Sequence, residues 1–292
     1  MVSESERYKK SAALGAVGAR GSKLVSWLVI FAGALVFLLP LYVMLVMAFK
    51  HLDEISLTSP WALPKNPTLD NFKEVLSTPN VDFALFFKNS LFIAVMSTTG
   101  VLITSAVVAY PFARLKFRGK DRLFLLLLST MMLPSIVTLI PTYVLYKELH
   151  WINTFYPLWV PAWLGGGAFN IFLLRQFFMA IPRELDEAAV LDGATNARIF
   201  WGIIMPNSIP ALATVGIFAF IYNWRDFLGP LIYLDAPDKQ TLEVGLNTFK
   251  GFQSLQWNLL MAASVLVMVP LIVMFILGQR YFVKGIVMTG GK

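Results

Sequence analysis

The stretch from Asp186 to Pro206, DEAAVLDGATNARIFWGIIMP, places carboxylates, small residues and a glycine between two strongly apolar parts of the chain. Glu187 offers a negative charge to a basic partner, and Ala188 and Ala189 leave a smooth surface that a second protein can approach closely. The alternative is an amphipathic helix that rests on lipid headgroups, although an acidic segment gains nothing from an anionic membrane surface. The residue types alone leave a protein-docking element and a helix that rests on lipid equally open.

The same stretch carries the signals of two short helices joined by a turn. Pro182 suits a first helical turn. Carboxylates follow where they interact favourably with the helix dipole, namely Glu184, Asp186 and Glu187. Gly193 can adopt the positive φ that ends a helix, and Thr195 or Asn196 can cap the next one. We therefore expect a helix, a turn at Gly193 and a second helix that leads into the following apolar stretch.

Residues for other chemistries are missing. The chain has no cysteine, and therefore no disulfide, thiolate nucleophile or Cys-ligated metal. His51 and His150 are the only histidines and are far apart in sequence, which disfavours a metal site. The phosphate-binding pattern G-x-x-x-x-G-K-[ST] is absent, since Gly119 and Lys120 are followed by Asp121. We expect no catalytic, cofactor or metal site in this chain.

The chain as a whole is too apolar for a soluble domain, because 57% of its 292 residues are hydrophobic and only 14% are charged. A membrane span needs about 20 apolar residues, since its backbone groups must bond within the helix. Six windows that contain no Asp, Glu, Lys, Arg or His meet this length, at residues 24–49, 89–113, 123–146, 151–174, 199–224 and 251–279.

The fourth window is the least regular of the six. Because it contains Pro157, Pro161 and the run Gly165–Gly167, its helix should start after Pro157 and continue into the segment around Arg175. The glycine run suggests a close helix crossing rather than a flexible gate. Seven prolines can kink the spans, either as packing features or as parts of a moving pathway. They are Pro40, Pro111, Pro134, Pro141, Pro206, Pro210 and Pro270.

The distribution of cations predicts the orientation, because Lys and Arg concentrate in cytoplasmic loops. RLKFRGKDR, at residues 114–122, has five cations, and the segment before the first span has another five. With both termini in the cytoplasm, sixteen of the 24 Lys and Arg residues lie inside, and eight lie outside in residues 50–88, 147–150 and 225–250. The net charge of +7 reflects this bias rather than a nucleic-acid partner.

The docking stretch resembles the EAA signature of the membrane subunits of ATP-binding-cassette importers. That signature, E-A-A, three residues, G, nine residues and I-x-L-P, matches Glu187–Ala189, Gly193 and Ile203–Pro206, with Met205 where leucine is usual. IYNWRDFLGPLIYL, at 221–234, and QRYFVKGIVMTGGK, at 279–292, are similar to the carbohydrate-uptake branch, in particular to the second, shorter membrane subunit of maltose transporters. The resemblance covers nearly the whole chain.

The resemblance implies an all-α bundle of six transmembrane helices with the type I importer (MetI-like) architecture, at residues 24–280. It includes a cytoplasmic coupling loop at residues 180–205 and is flanked by cytoplasmic ends at 1–23 and 281–292. Such a permease lies in the bacterial inner membrane and pairs with a second permease. It docks on a pair of ATPase subunits, which would bind ATP and Mg, and it receives sugar from an extracytoplasmic binding protein. This chain would then be a transport subunit and not an enzyme.

The resemblance also assigns candidate residues. Those for docking on the ATPase are Glu187, Ala188, Ala189, Asp192, Gly193 and Pro206. Asn223 and Asp226, at the outer end of the fifth span, are possible residues of the substrate path; Arg225 and Asp226 bind sugar hydroxyls or simply cap the span. The external segments 50–88, which should end in a short helix near residues 69–76, and 229–257 contact the binding protein or serve as solvated connections.

Other functions fit the sequence less well. A secondary transporter normally carries a charged residue within a span, and the six windows have none. A membrane-embedded hydrolase needs a constellation of Ser, His or metal ligands, and no window contains a histidine or a carboxylate. Within the importer class, the alternative is a permease for amino acids, peptides, phosphonates or glycerol phosphate. Among sugars, disaccharides, longer oligosaccharides and uronate polymers remain open.

Overall fold

The structure, a computed structural model, describes residues 4–78, 82–247 and 256–289, with side chains between Val25 and Gln279. Its regular elements in these ranges are all helices, as predicted. The α-helices are α1 (Glu4–Ala48), α2 (Leu52–Leu57), α3 (Asp70–Ser77), α4 (Phe83–Arg114), α5 (Lys120–Ser129), α6 (Ser135–Glu148), α7 (Tyr156–Trp159), α8 (Ala168–Ala180), α9 (Glu184–Leu191), α10 (Asn196–Ile199), α11 (Met205–Asn207), α12 (Ile209–Trp224), α13 (Leu228–Tyr233), α14 (Leu242–Leu246) and α15 (Trp257–Thr289). Short 3-10 segments lie at Thr130–Met132, Val160–Leu164 and Pro237–Lys239, and a π-helical segment at Phe200–Ile204.

Four helical segments are long and apolar enough to cross a membrane without a sharp bend: Val25–Ala48, Phe83–Arg114, Tyr156–Ala180 and Trp257–Gln279. Two more are bent pairs. Lys120–Met132 meets Ser135–Glu148 at 95°, and Asn196–Asn207 meets Ile209–Trp224 at 76°. The described residues therefore give six spans if each bent pair counts as one, which is compatible with the predicted six. The fourth span continues past Arg175, as predicted.

Both bends occur at prolines. Leu133 is extended before Pro134, as a residue that precedes proline prefers, and α6 begins directly afterwards. At the second bend Pro206 has no N–H to donate to the preceding turn, which widens so that the Met205 N–H bonds to the Phe200 carbonyl. Pro210 lies in the first turn of α12, after the bend. The other four prolines predicted as possible kinks lie inside continuous helices, namely Pro40, Pro111, Pro141 and Pro270.

The described residues fall into two compact units, of which the smaller contains residues up to Phe72 together with 256–265. Here a polar network holds the chain that follows α1. Lys50 is fully buried, and its ammonium group donates to the Thr58 hydroxyl at 3.1 Å. Asn71, at the start of α3, donates to the Ala48 carbonyl at 2.8 Å and accepts from Asn258 at 2.8 Å. The chain after α1 is thus held by hydrogen bonds, and α3 confirms the helix predicted near residues 69–76.

The larger unit, residues 73–255 with 266–292, is organised around α4, which packs against α7, α8, α12 and the 3-10 segment of the fourth span. Many of its buried residues are small and let helices approach closely: Ala94, Ser97, Ala106, Ala109 and Ala113. The Ser97 hydroxyl donates to the Leu158 carbonyl at 2.9 Å, and the Trp163 indole donates to the Met96 carbonyl at 3.0 Å. The fourth span is therefore fixed to α4 by hydrogen bonds as well as by packing.

The glycine run of the fourth span includes the close crossing that the sequence predicts. A Cβ on Gly166 would lie 2.6 Å from the Ser105 backbone nitrogen, and Gly166 has a φ of +68°. By contrast, a Cβ on Gly165 would meet no atom within 4 Å. Position 166 therefore has no room for a larger residue, whereas position 165 does.

Gly166→Ala should destabilise the protein by about 1–3 kcal/mol, because the new methyl group meets the backbone of α4 and the residue keeps a positive φ. Gly165→Ala is the matched control, one residue away in open space. Thermal unfolding of the two purified variants in detergent should show a lowered Tm for Gly166→Ala alone. Equal losses in Tm would contradict the close crossing.

Candidate functional site

The first helix of the predicted coupling loop, α9, ends in a hydrogen-bonded turn that requires glycine. Gly193 has a φ of +77°, its N–H bonds to the Val190 carbonyl at 3.0 Å, and the Ala194 N–H bonds to the Ala189 carbonyl at 2.8 Å. These two bonds form a Schellman motif, which satisfies the last carbonyl groups of the helix. A Cβ at Gly193 would meet no atom within 4 Å, so the requirement is for backbone conformation and not for space.

The second helix begins at the predicted cap. The Thr195 hydroxyl accepts the Arg198 N–H at 3.3 Å, so Thr195 and not Asn196 is the N-cap of α10. The chain continues through the π-helical segment to Pro206 and the bend before α12. The predicted order of helix, turn and helix is confirmed, although α9 starts at Glu184, after Pro182 rather than around it.

The two faces of α9 differ. One face, with the spacing i, i+3, i+4 and i+7, consists of exposed residues: Glu184, Glu187, Ala188 and Leu191. Leu191 is 89% exposed, and Val190 beside it is 59% exposed. Asp192, which ends the helix, is also exposed. We call the four exposed residues the α9 outer face; it combines two carboxylates with an apolar end.

The inner side of α9 is anchored to the helical core. Ala189 is half-buried and, with Ala194 after the turn, packs against the core cluster. That cluster includes Ile181 before α9 and Ile199 and Phe200 after it. The sequence predicts one smooth surface at Ala188 and Ala189, whereas the structure exposes Ala188 and turns Ala189 towards the core.

Arg114, the last residue of α4, holds the start of the coupling loop. Its side chain is only 3% exposed, and its guanidinium donates to the Ile181 carbonyl at 2.7 Å. The guanidinium Nε lies 3.4 Å from the carboxylate of Asp186, on the inner side of α9. The sequence identifies Arg114 only as one of the cations that predict the orientation. Its position directly after an uncharged window was the available signal, but its partner could not be read from spacing.

Arg175 makes a second connection at the same end of α4. From α8 its Nε donates to the Phe112 carbonyl at 3.0 Å, and its guanidinium carbon lies 4.1 Å from the centre of the Phe124 ring in α5. This geometry allows a cation–π interaction. The C-terminal end of α4 and the first half of α5 are thus joined to α8 by one side chain, next to the place where Arg114 holds α9.

The two residues proposed for the substrate path line one cavity of about 650 Å³ in the larger unit, which we call the outer cavity. Asn223 donates to the Ala219 carbonyl at 2.6 Å, and Asp226 accepts the Gly229 N–H at 3.1 Å. Asp226 therefore helps to cap the first turn of α13, and not the fifth span as the sequence suggested, and it also faces the cavity. Arg225 is exposed and does not line the cavity.

Burial raises the pKa of the Asp226 carboxyl, which lies beyond the end of the fifth span, because the ionised form loses hydration. Backbone N–H groups of Gly229 and Leu228 offset part of this effect.

Residues 102–288 match the family described as binding-protein-dependent transport system inner membrane component. The chain belongs to this family. It is 34% identical over 260 residues to the probable ABC transporter permease protein YurM of Bacillus subtilis, covering 89% of this chain and 85% of that protein. It is 32% identical over 254 residues to the trehalose/maltose transport system permease protein MalG of Thermococcus litoralis, covering 87% of this chain and 91% of that protein.

The permease fold extends over nearly the full length. A chain in the crystal structure of a bacterial ABC transporter involved in the import of the acidic polysaccharide alginate superimposes with a TM-score of 0.76, at 22% identity, over 97% of this permease and 99% of that chain. The resemblance inferred from the EAA spacing and the all-α membrane architecture are therefore confirmed. The permease is a transport component of the ABC type.

Arg114→Ala should loosen the coupling loop, since it leaves the Ile181 carbonyl and the Asp186 carboxylate without the guanidinium that they face. A buried polar group that loses its partner costs about 1–3 kcal/mol, which corresponds to roughly 5- to 150-fold faster local opening. Amide hydrogen exchange of residues 183–194 should accelerate to this extent, while exchange within α4 stays slow. Arg118→Ala is the control, because Arg118 is an exposed cation of the same basic loop. Unchanged exchange in Arg114→Ala would show that Arg114 does not hold the loop.

Proposed function

We propose that this permease forms, with a second related permease, the path by which a carbohydrate enters the cell across the inner membrane. In this proposal ATP and Mg are bound by a pair of separate ATPase subunits that dock on the coupling loop. The observation that carries the proposal is the α9 outer face, which is exposed, acidic and apolar at one end, on a helix whose other side is anchored in the core.

The composition of this face fits a protein partner better than a lipid surface. Interfacial helices are rich in Lys and Arg on their polar side, whereas Glu184 and Glu187 are the charged residues of the α9 outer face. Leu191 would leave a large apolar side chain in water unless a partner covers it. A complementary surface on the ATPase offers an apolar pocket for Leu191 and a basic residue for Glu187.

The anchoring of α9 supports a role in coupling. Motion imposed on the outer face by the ATPase passes to α4 through Arg114 and to the core through Ala189. At the other end of the loop, the π-helical turn before Pro206 leads to the bend between α11 and α12. Gly193 supports this arrangement by ending α9 without strain, and Asp192 and Ala188 complete the exposed surface next to the partner.

A carbohydrate is the best-supported cargo because the outer cavity combines aromatic walls with polar side chains, and because MalG, a relative over most of its length, is named as a trehalose/maltose permease. A permease for amino acids, peptides, phosphonates or glycerol phosphate is the alternative. Measuring which solute restores growth or uptake in a strain that lacks this gene separates the two. The sugar would be delivered by an extracytoplasmic binding protein, for which the external segments 50–88 and 229–257 are candidate contacts.

The orientation can be tested with single cysteines, because the chain has none of its own. The proposal places both termini and the coupling loop in the cytoplasm. Arg118→Cys and Asn196→Cys should react with a membrane-impermeant thiol reagent only in inverted vesicles. Pro67→Cys and Asp238→Cys should react in intact spheroplasts. All four positions are exposed. Labelling of Asn196→Cys from outside would reverse the orientation and exclude docking on a cytoplasmic ATPase.

Glu187→Lys should uncouple transport, because it reverses the charge on the α9 outer face while the helix and its anchored side stay intact. In complexes reconstituted with the second permease, the ATPase pair and the binding protein, stimulated ATP hydrolysis and uptake should fall at least tenfold, the change given by about 1.4 kcal/mol. Abundance in the membrane should not change.

The control is Glu148→Lys, the same charge reversal at the exposed outer end of α6. It should leave coupling unchanged. Full coupled transport by Glu187→Lys would contradict the docking role and favour the helix that rests on lipid.

A further inference from the structure

The described residues that line the outer cavity include aromatic, amide and carboxyl side chains but no basic ones. Five aromatic residues line it, namely Tyr146, Phe169, Phe218, Tyr222 and Tyr233. Asn170 and Asn223 supply amides, and Asp226 supplies the one carboxyl group among the described lining residues. None of the described lining residues is Lys, Arg or His. The cavity can therefore stack against apolar ring faces and accept hydrogen bonds from hydroxyl groups, but it offers an anion no cation.

The groups around Asp226 also lack a positive charge that would stabilise its ionised carboxyl. Its partners are backbone N–H groups of α13, and the groups that shift its pKa include no cation. Burial raises this pKa, whereas a neighbouring Lys or Arg would lower it. An anionic ligand in the cavity would disfavour the ionised carboxyl further, because like charges repel.

The walls are held in place before any ligand binds. Tyr233 packs edge to face against Tyr146 at 5.2 Å between ring centres and is stacked on Tyr143 at 6.3 Å. The Asn153 N–H donates to the Tyr233 carbonyl at 2.7 Å, and the Asn153 side chain accepts the Ala236 N–H at 3.0 Å. Aromatic rings fixed in this way lose little freedom on binding, which favours affinity. The volume of about 650 Å³ lies in the range of about 300–1,000 Å³ typical of small-molecule sites.

We infer that the outer cavity selects uncharged sugars and rejects anionic ones, with Asp226 as the residue that determines this specificity. The inference rests on the proposed function of the permease as a carbohydrate importer. Aromatic faces bind the C–H face of a sugar ring, while the Asp226 carboxylate and the amide groups bind its hydroxyls. Sites for phosphate or carboxylate groups normally present Arg or Lys instead. The fold is shared with a transporter of an acidic polysaccharide, but the charge of this cavity points to a neutral cargo.

The test uses the complete transporter in cells, with this permease, its companion, the ATPase and the binding protein. Uptake is measured for uncharged probes (trehalose, maltotriose and arabinotriose) and for anionic probes (trigalacturonate and glycerol 3-phosphate). We expect uptake within the uncharged group and none within the anionic group. For the transported sugar, Asp226→Asn should raise KM at least fivefold, since a neutral amide is a weaker acceptor, and it should change kcat less.

Asp235→Asn is the matched control, the same substitution at an exposed position of the same external segment and outside the cavity. Its KM should equal that of the unmodified transporter. Asp226→Asn retains an oxygen that can accept the Gly229 N–H, so its abundance in the membrane should be normal. Uptake of the uncharged and anionic probes by the unmodified transporter tests the specificity without any variant.

The outcomes are distinct. Uptake of trigalacturonate, or an unchanged KM in Asp226→Asn at normal abundance, would overturn the inference and leave the carbohydrate importer standing. Uptake of glycerol 3-phosphate without uptake of any sugar probe would contradict both the inference and the proposed function. Uptake of none of the sugar probes, together with uptake of an amino acid or peptide by the same transporter, would contradict the proposed function and the inference with it.

Discussion

The contacts of the buried Arg114 guanidinium hold in place the segment between the fourth and fifth spans. A charged group that is 3% exposed must find partners, and it finds the Ile181 carbonyl before α9 and the Asp186 carboxylate within it. Because Arg114 is the last residue of α4, the central helix of the larger unit, these contacts tie a short solvent-facing helix to the core of the spans. A helix of eight residues would be marginal by itself.

The pairing is incomplete in this conformation. The Arg114 Nε and Nη1 and the Asp186 Oδ1 are buried without a hydrogen-bond partner, although the two side chains face each other at 3.4 Å. The Arg114 and Asp186 side chains thus form a close ion pair and not the two parallel bonds that a planar guanidinium can make with a carboxylate.

Features that follow from local rules could be predicted from the sequence. The apolar windows, the positive φ of Gly193 and a cap at Thr195 or Asn196 depend on a few neighbouring residues. The structure has the positive φ and the cap, at Thr195, and its helices are compatible with six spans. The bends show the limit of such rules, since Pro134 and Pro206 could be named as kinks but their angles of 95° and 76° depend on packing. Pro40 and Pro270, which satisfy the same rule, lie in unbroken helices.

Features that depend on tertiary partners could not be predicted. Whether Ala188 or Ala189 faces water is decided by where α9 lies on the core, and nothing local marks Asp186 as the partner of Arg114. Asp226 shows that one residue can both cap a helix and line a cavity. One carboxyl oxygen accepts the Gly229 N–H and fixes the start of α13, and α13 in turn carries Tyr233 into the cavity wall that Asp226 faces. The residue that helps to shape the wall of the cavity is thus also the one that sets its charge.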